Sequence, residues 1–257
     1  MKILHLDSII NNEFSVTRQL TAEIVKQLMA AGQKHQLTYR DLVKNEISHL
    51  TSEIAAGFRP VAGLPVATAR LESERKLSDS LVSEFLESEV IVIGAPMYNF
   101  SVSSQLKAWM DRIAQPGKTF SYTPTGPVGL AGGKKVIIAS ARGGFYTGTS
   151  LEEMDFQEKF LCKFLGFLGI SRVEFVRAEG TSKGDEVKLR EISRSLSLIP
   201  QAINAVSAVK GVSLDLENYC TLRTFFNQRG GYSGNRIVLI SRHPCGYLDH
   251  RQSYSVA

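Results

Sequence analysis

A chain of 257 residues with 43% hydrophobic residues is long enough to bury the core of one large domain or two small ones. Its 30 basic and 25 acidic residues leave a net charge of +5 and are spread along the chain, which gives no reason to expect a nucleic-acid partner. The three cysteines lack metal-ligand spacing, so neither a metal site nor a disulfide framework is expected. Without an apolar run of membrane-spanning length or a signal-peptide pattern, the sequence predicts a cytoplasmic protein with no membrane partner.

Strand and helix patterns alternate along the first 209 residues. In chain order the sequence predicts a strand at 2–7, a helix at 15–31, a strand at 35–40, an irregular stretch with one helical turn at 41–67, a helix at 68–88, a strand at 90–93, a helix at 105–114, a loop at 118–133, a strand at 135–141, a loop at 142–154, a helix through 160–168, a strand at 172–178 and a helix at 185–209. Such alternation produces parallel strands, because each helix returns the chain to the same edge of the sheet. We therefore predict a doubly wound α/β fold, with a five-stranded parallel sheet and helices on both faces.

The loop after the first strand offers hydroxyl groups instead of glycines. Residues 8–14 read SIINNEF, which lacks the glycine turn of a dinucleotide-binding Rossmann site. Ser8 ends the strand, and Ser15 and Thr17 lie at the start of the first helix, where unpaired amides and hydroxyls can bind a phosphate. Ser15 also suits an ordinary helix N-cap, and the sequence alone leaves this alternative open.

Two further loops follow the third and fourth strands. The segment 97–100, Met-Tyr-Asn-Phe, combines aromatic and apolar surface with one amide, which suits a flat heteroaromatic ring; a hydrophobic plug under the sheet is the alternative. The segment 141–144 pairs two glycines, which permit close backbone approach, with Arg142, which supplies a cation. Ligands of doubly wound sheets bind beyond the carboxyl ends of the strands, so we expect the three loops to form one site.

Five segments of the chain carry a specific pattern: APMYNF at 95–100, SSQLKAWMDRIA at 103–114, GKTFSYTPTGPVGL at 117–130, GKK at 133–135 and FLGFLGI at 164–170. They resemble the FMN-dependent NADH azoreductases, relatives of the NAD(P)H quinone oxidoreductases, over residues 1 to about 211. The resemblance implies a flavodoxin-like fold, bound FMN, NADH as electron donor and a homodimer. The implied activity is the reduction of quinones to hydroquinones and the reductive cleavage of aromatic azo bonds to amines.

The resemblance also assigns roles by position. Ser8, Ser15, Val16 and Thr17 would hold the FMN phosphate; Met97, Tyr98, Asn99 and Phe100 would line the isoalloxazine ring; Ala141, Arg142, Gly143 and Gly144 would approach its polar edge; and Phe120, Tyr122 and Phe164 would wall the substrate pocket. Because these loops contain no acid–base dyad, the flavin would perform the chemistry, with NADH and the acceptor using one place in turn by a ping-pong hydride mechanism. Tyr122 is the candidate proton donor.

The chain after residue 211 differs in composition from the part before it. Residues 212–257 contain no lysine but two of the three cysteines, and glycines and a proline interrupt them, although 236–243 reads as a strand. We therefore expect a flavodoxin-like catalytic domain at 1–211 and an atypical, loosely ordered tail at 212–257.

A second class of function fits the same fold. A flavodoxin-like one-electron carrier also binds FMN and serves a protein partner, and an α/β domain without any cofactor is a third interpretation. Electron carriers of this kind tend to be strongly acidic, whereas this chain has a net charge of +5. The charge therefore favours the enzyme.

Overall fold

The computed structural model describes residues 1–10, 15–30, 34–58 and 68–207, together with the backbone of two short strands later in the chain. The chain divides into two units, Met1–Ser207 and Ala208–Ala257. The elements of the first unit are, in chain order, β1 (Lys2–Asp7), α1 (Val16–Ala30), β2 (Gln36–Asp41), α2 (Ser52–Ala55), α3 (Ala69–Glu87), β3 (Val90–Pro96), α4 (Ser104–Ile113), β4 (Phe120–Thr123), β5 (Gly126–Gly129), β6 (Lys135–Ala141), α5 (Phe156–Phe167), β7 (Arg172–Ala178) and α6 (Asp185–Ser207).

Five strands form one parallel sheet in the order β2-β1-β3-β6-β7. This is the strand order of flavodoxin-like sheets, so the predicted fold class is confirmed. The register pairs Asp7 with Gly94 and Pro96 with Ala141. The carboxyl ends of β1, β3 and β6 therefore lie side by side at the point where the strand order reverses.

Both faces of the sheet are buried. One face packs against α1 and α6, with a core that includes Leu20, Ile24, Ile137, Val176 and Ile199. On the opposite face Ile91, Ile93 and Ile138 are also buried, and α3 contacts α4 through an edge-to-face pair of Phe85 and Trp109. Apolar surface buried on both faces explains why β3 reads as a continuous β-branched run.

The loop predicted at 118–133 contains an antiparallel hairpin of β4 and β5. Glycine, proline and threonine interrupt any apolar alternation there, so periodicity does not indicate these strands. The hairpin packs closely against the turn after α5, where a Cβ on Gly129 would overlap the amide nitrogen of Gly169. This close approach explains why a glycine stands inside a strand.

The second unit contains β8 (Arg236–Val238), which pairs antiparallel with β9 (Ser253–Ser255). The strand predicted at 236–243 thus overlaps β8. The loose order expected for the rest of 212–257 falls on residues outside the described ranges.

Within the described part of the chain, no helix is long and apolar enough to cross a membrane. Cys162, the cysteine of the first unit, is buried in α5.

Candidate functional site

The first turn of α1 carries backbone donors that have no acceptor among the described residues. Ser15 caps this helix, since its Oγ accepts a hydrogen bond from the amide of Arg18 at 3.2 Å, and the N-cap interpretation is confirmed. The amides of Val16 and Thr17 donate to no other residue in the described ranges. Unpaired amides at a helix N-terminus attract anions, so this turn can bind one.

Thr17 adds a buried hydroxyl to these amides. Its side chain is 0% exposed, and Oγ1 has no hydrogen-bond partner within the described structure. Leaving such a group unpaired costs about 1–3 kcal/mol. One turn later, by contrast, Thr21 Oγ1 donates to Asp7 at 3.0 Å. The unsatisfied hydroxyl of Thr17 therefore marks a place where a ligand oxygen would complete the structure.

A buried polar network anchors this turn of α1 to the sheet. Arg18 pairs with Asp7 at 3.3 Å and with Asp41 at 2.8 Å, at the ends of β1 and β2. Burial alone would raise the pKa of Asp7, but the interactions with His5, Thr21 and Arg18 hold it below its usual value. Burial and the nearby Asp7 carboxylate raise the pKa of Tyr39 to about 12. The charge of Arg18 is thus used inside the network, so this turn can offer an anion only its backbone amides and hydroxyls.

Ser8 links the first strand to the third. Its fully buried Oγ donates to the carbonyl of Gly94 at 2.7 Å. Gly94 permits the close approach of Asp7, because a Cβ there would lie 2.7 Å from Asp7 Oδ1. The hydroxyl proton of Ser8 is therefore engaged by β3, and its Oγ could meet a ligand only as an acceptor.

The loop after β3 is a tight turn in a strained conformation. Tyr98 and Ser101 exchange backbone hydrogen bonds of 2.9 Å, and the central residues Asn99 and Phe100 have φ angles of 46° and 67°. Asparagine tolerates this left-handed region, but a bulky residue such as phenylalanine pays roughly 1–3 kcal/mol for it. Strain of this kind persists where the surroundings enforce it, and it is concentrated at ligand sites.

A cavity of about 640 Å³ opens beside this turn, a volume within the usual range of small-molecule sites. Its walls combine apolar and polar groups, namely Ile10, Tyr98, Asn99, 101–105, Lys107 and Phe160. Tyr98 and Asn99 belong to the predicted ring-binding set, whereas Ile10 and Phe160 were not predicted. The Ile10 amide donates a hydrogen bond to Tyr98 Oη at 3.3 Å, which connects the loop after β1 to the loop after β3.

The loop after β6 is braced by the segment that follows β7. The carbonyls of residues 142, 143 and 144 accept hydrogen bonds from the amides of Thr181 at 3.0 Å, Ser182 at 3.2 Å and Gly180 at 2.9 Å, respectively. Gly143 and Gly144 donate their own amides to none of the residues described. A Cβ at Gly143 would lie 2.8 Å from Ser182 Oγ, so a side chain there would require Ser182 to move. The loop thus has two amides without a partner among the described residues.

The side chain of Arg142 does not serve a ligand. It is 1% exposed and pairs with Asp155 at 3.0 Å, with Glu179 at 3.0 Å and with Glu158. The prediction that Arg142 supplies a cation to the site is therefore wrong, because three carboxylates already use its charge. The backbone of Arg142 is also engaged, since its amide donates to the Ala178 carbonyl at 2.9 Å and its carbonyl accepts from Thr181. The side chains of Val16 and Ala141 are buried and apolar, so they offer a ligand no polar group.

The predicted substrate-pocket residues separate into different environments. Phe120 is buried at the base of the hairpin, with its ring centroid 4.5 Å from that of Phe167 and 5.2 Å from that of Tyr122, so it packs under β4 and does not line the cavity beside residues 98–101. Tyr122 is 70% exposed on the hairpin. Phe164 lies behind Phe160, at 6.2 Å between ring centroids, and Phe160 lines the cavity. Of the three, only Phe164 comes near the cavity described above.

Comparison with known proteins agrees with this architecture. A family model described as a flavodoxin-like fold matches residues 1–197. The FMN-dependent NADH:quinone oxidoreductase 2 of Xanthomonas euvesicatoria pv. vesicatoria is 52% identical over 206 residues, which cover 80% of this chain and 95% of that protein. The FMN-dependent NADH:quinone oxidoreductase of Ralstonia nicotianae is 49% identical over 208 residues, which cover 81% of this chain and 100% of that protein. The chain therefore belongs to the flavodoxin-like family, among the FMN-dependent NADH:quinone oxidoreductases.

A solved structure extends the likeness to azoreductases. The crystal structure of azoreductase from Bacillus anthracis str. Sterne superposes with a TM-score of 0.71 at 27% identity, covering 80% of this chain and 99% of that one. The family named from the sequence motifs is thus confirmed.

The unpaired hydroxyl of Thr17 leads to a test of stability without ligand. Thr17→Val keeps the shape of the side chain and removes a group without a partner, so we expect the free energy of unfolding of the FMN-free chain to stay unchanged or rise by about 1 kcal/mol. The matched variant Thr21→Val should lose about 1–3 kcal/mol, because it removes a hydrogen bond to buried Asp7. Urea denaturation measures both. Equal destabilisation by the two variants would show that Thr17 has a partner.

Proposed function

We propose that the chain is an FMN-dependent oxidoreductase that uses NADH to reduce quinones to hydroquinones and to cleave aromatic azo bonds to amines. The observation that carries the proposal is a set of donors along one edge of the sheet that have no partner among the described residues. They are the amides of Val16 and Thr17 with the Thr17 hydroxyl at one end, and the amides of Gly143 and Gly144 at the other. An elongated ligand with a phosphate and a polar ring edge would satisfy both groups, and FMN has both features.

The residues at this edge fit FMN in chemical type. The first turn of α1 would bind the phosphate through amides and a hydroxyl, without a lysine. The strained turn at 98–101 would place aromatic and amide groups against the ring, and the amides of Gly143 and Gly144 would donate to its polar edge. When bound, FMN supplies a ring system that accepts a hydride from NADH and passes two electrons to an acceptor.

The cavity beside residues 98–101 gives donor and acceptor a place to bind. Its mixture of Ile10, Phe160, Asn99 and Gln105 suits flat molecules with polar edges. NADH and the acceptor would use this place in turn, which gives ping-pong kinetics. Protons would come from water, since Tyr122 is exposed on the hairpin and does not line the cavity. NADH is abundant in the cytoplasm, and this is where we propose the enzyme acts.

A spectroscopic test separates this enzyme from a one-electron carrier. We expect anaerobic NADH alone to bleach the bound flavin of the purified protein near 450 nm, and a quinone or an azo dye to restore the colour. Bleaching that requires an added reductase would indicate the carrier. A colourless protein that takes up no FMN would contradict both.

A charge change at Ser15 tests the phosphate position. Aspartate caps a helix about as well as serine, so Ser15→Asp should preserve α1 while placing a carboxylate toward the phosphate. Two like charges roughly 4 Å apart repel by several kcal/mol, and we expect FMN binding to weaken by about 100-fold or more. Dialysis followed by absorption measures the retained flavin. Thr68→Asp, which changes the N-cap of α3, is the matched control and should retain it; full retention by Ser15→Asp would exclude this phosphate site.

The proposed assembly is a homodimer, supported by exposed apolar side chains in the turn after β3, at the start of α5 and on the hairpin. Phe100, Phe156 and Tyr122 are 40%, 58% and 70% exposed, and Val128 on the same hairpin as Tyr122 is also exposed. Clusters of exposed apolar groups usually mark an interface. A second copy of the chain would cover them.

We also propose that residues 1–211 are the catalytic unit. The family model ends at residue 197, and 80% of this chain accounts for 95% of the length of the Xanthomonas relative. Cutting after Gly211 should therefore leave the FMN content, the rate of NADH oxidation by a quinone and the thermal midpoint nearly unchanged. Sedimentation at micromolar concentration should give a dimer for both the full and the cut chain. A monomeric full chain would exclude the dimer, and loss of flavin on cutting would make the tail integral.

A further inference from the structure

Glu179 lies directly after β7, and its carboxylate gathers four donors from the loop after β6. Its Oε1 accepts hydrogen bonds from the amides of Tyr146 and Thr147, both at 3.1 Å, and from the Thr147 hydroxyl at 3.2 Å. The same oxygen accepts from Arg142 Nη1 at 3.0 Å. One buried side chain therefore holds both ends of the stretch 142–147, with Gly143 and Gly144 between them.

The residues after Glu179 hold the middle of the same loop. The amides of residues 180–182 use the three carbonyls of residues 142–144, as described above. Gly180 has a φ of 66°, and a Cβ there would overlap the ring of Phe145, so the two segments are in close contact. The carbonyls of this loop are hydrogen-bonded and both of its ends are held by Glu179. The amides of Gly143 and Gly144, which have no acceptor among the described residues, are therefore fixed in orientation.

The chemistry of this contact favours a carboxylate. Burial alone would raise the pKa of Glu179, but the hydrogen bonds from the amides of Thr147 and Tyr146 and the charge of Arg142 hold it below its usual value. The group is therefore ionised at neutral pH, and an ionised carboxylate forms stronger hydrogen bonds to amides than a neutral acceptor does.

We propose that Glu179 is a positioning residue of the FMN site, which orients the amides of Gly143 and Gly144 toward the ring edge by holding the loop at 142–147. The inference rests on the proposed function, because FMN is the ligand that these amides would meet. Glu179 itself touches no ligand in this role. It acts through the backbone that it binds.

Three variants of the full chain test the role, each stripped of FMN and titrated with FMN by fluorescence quenching. Glu179→Ala removes the acceptor and should raise the dissociation constant of FMN by about 10- to 100-fold, the effect typical of lost outer contacts at a binding site. Glu179→Gln retains an oxygen at the same position and should recover part of the affinity. Glu158→Gln is the matched control, because it also removes a carboxylate that pairs with Arg142. The other ion pair of Glu158 is with Arg177, outside the loop at 142–147. This variant should change the constant by less than about threefold.

Hydrogen exchange gives a readout that does not depend on flavin. In the FMN-free chain, the amides of Tyr146 and Thr147 should exchange faster in Glu179→Ala than in the wild type or in Glu158→Gln. An FMN affinity of Glu179→Ala within threefold of the wild type would overturn the inference, and so would an equal loss in Glu158→Gln. Glu179→Gln as weak as Glu179→Ala would also overturn it, because charge alone would then matter. A wild-type chain that binds no FMN would instead overturn the proposed function, and this inference with it.

Discussion

The parallel pairing of β3 with β1 and β6 is the constraint on which the site depends. Its register places Asp7 beside Gly94 and Pro96 beside Ala141, so the chain leaves three strands at the same edge. Loops that are far apart in sequence are then joined by single backbone hydrogen bonds, such as the one from the Met97 amide to the Ala141 carbonyl at 2.9 Å. Because β3 is buried on both faces, its apolar side chains pack in the core on either side of the sheet, which holds the strand between β1 and β6.

Ion pairs of two arginines in the first unit hold loops at the carboxyl edge of the sheet in place. Arg142 was predicted at the site and Arg18 follows Thr17 directly, yet both side chains pair with carboxylates of the protein. Burying an arginine costs free energy unless its guanidinium is paired and hydrogen-bonded. The carboxylates that pair with it are therefore needed for the arginine to be buried. What remains for an anionic, polar ligand is backbone amides and hydroxyls, which bind without a net charge. This arrangement suits a cofactor that must be held by shape and by directional hydrogen bonds.

The fold was largely predictable from the sequence, and the site only in part. Alternating strand and helix patterns are local signals, and they gave the sheet, the helices and the three loops at its carboxyl edge. The partners of Arg142 could not be read in this way, since Asp155, Glu158 and Glu179 lie in other elements and meet it only after folding. One sequence signal could have indicated the contact that holds the loop at 142–147. It is Glu179 followed by Gly180, directly after a predicted strand. The hairpin at 120–129 was missed because its stability comes from packing on Gly169, not from its own pattern.

Strain and unpaired donors at the site have a common thermodynamic meaning. The turn at Asn99 and Phe100 holds two residues in the left-handed region, and the Thr17 hydroxyl is buried without a partner in the described structure. Each feature costs the unliganded fold on the order of 1–3 kcal/mol. The core on both faces of the sheet must offset these costs in the FMN-free protein. FMN bound as proposed would give the Thr17 hydroxyl a partner, and a ligand that binds only the folded state stabilises it by about 2.7 kcal/mol at about 100 times its dissociation constant. The hydroxyl that weakens the empty protein would then strengthen the complex, whereas the strain at Asn99 and Phe100 would still be offset by the core.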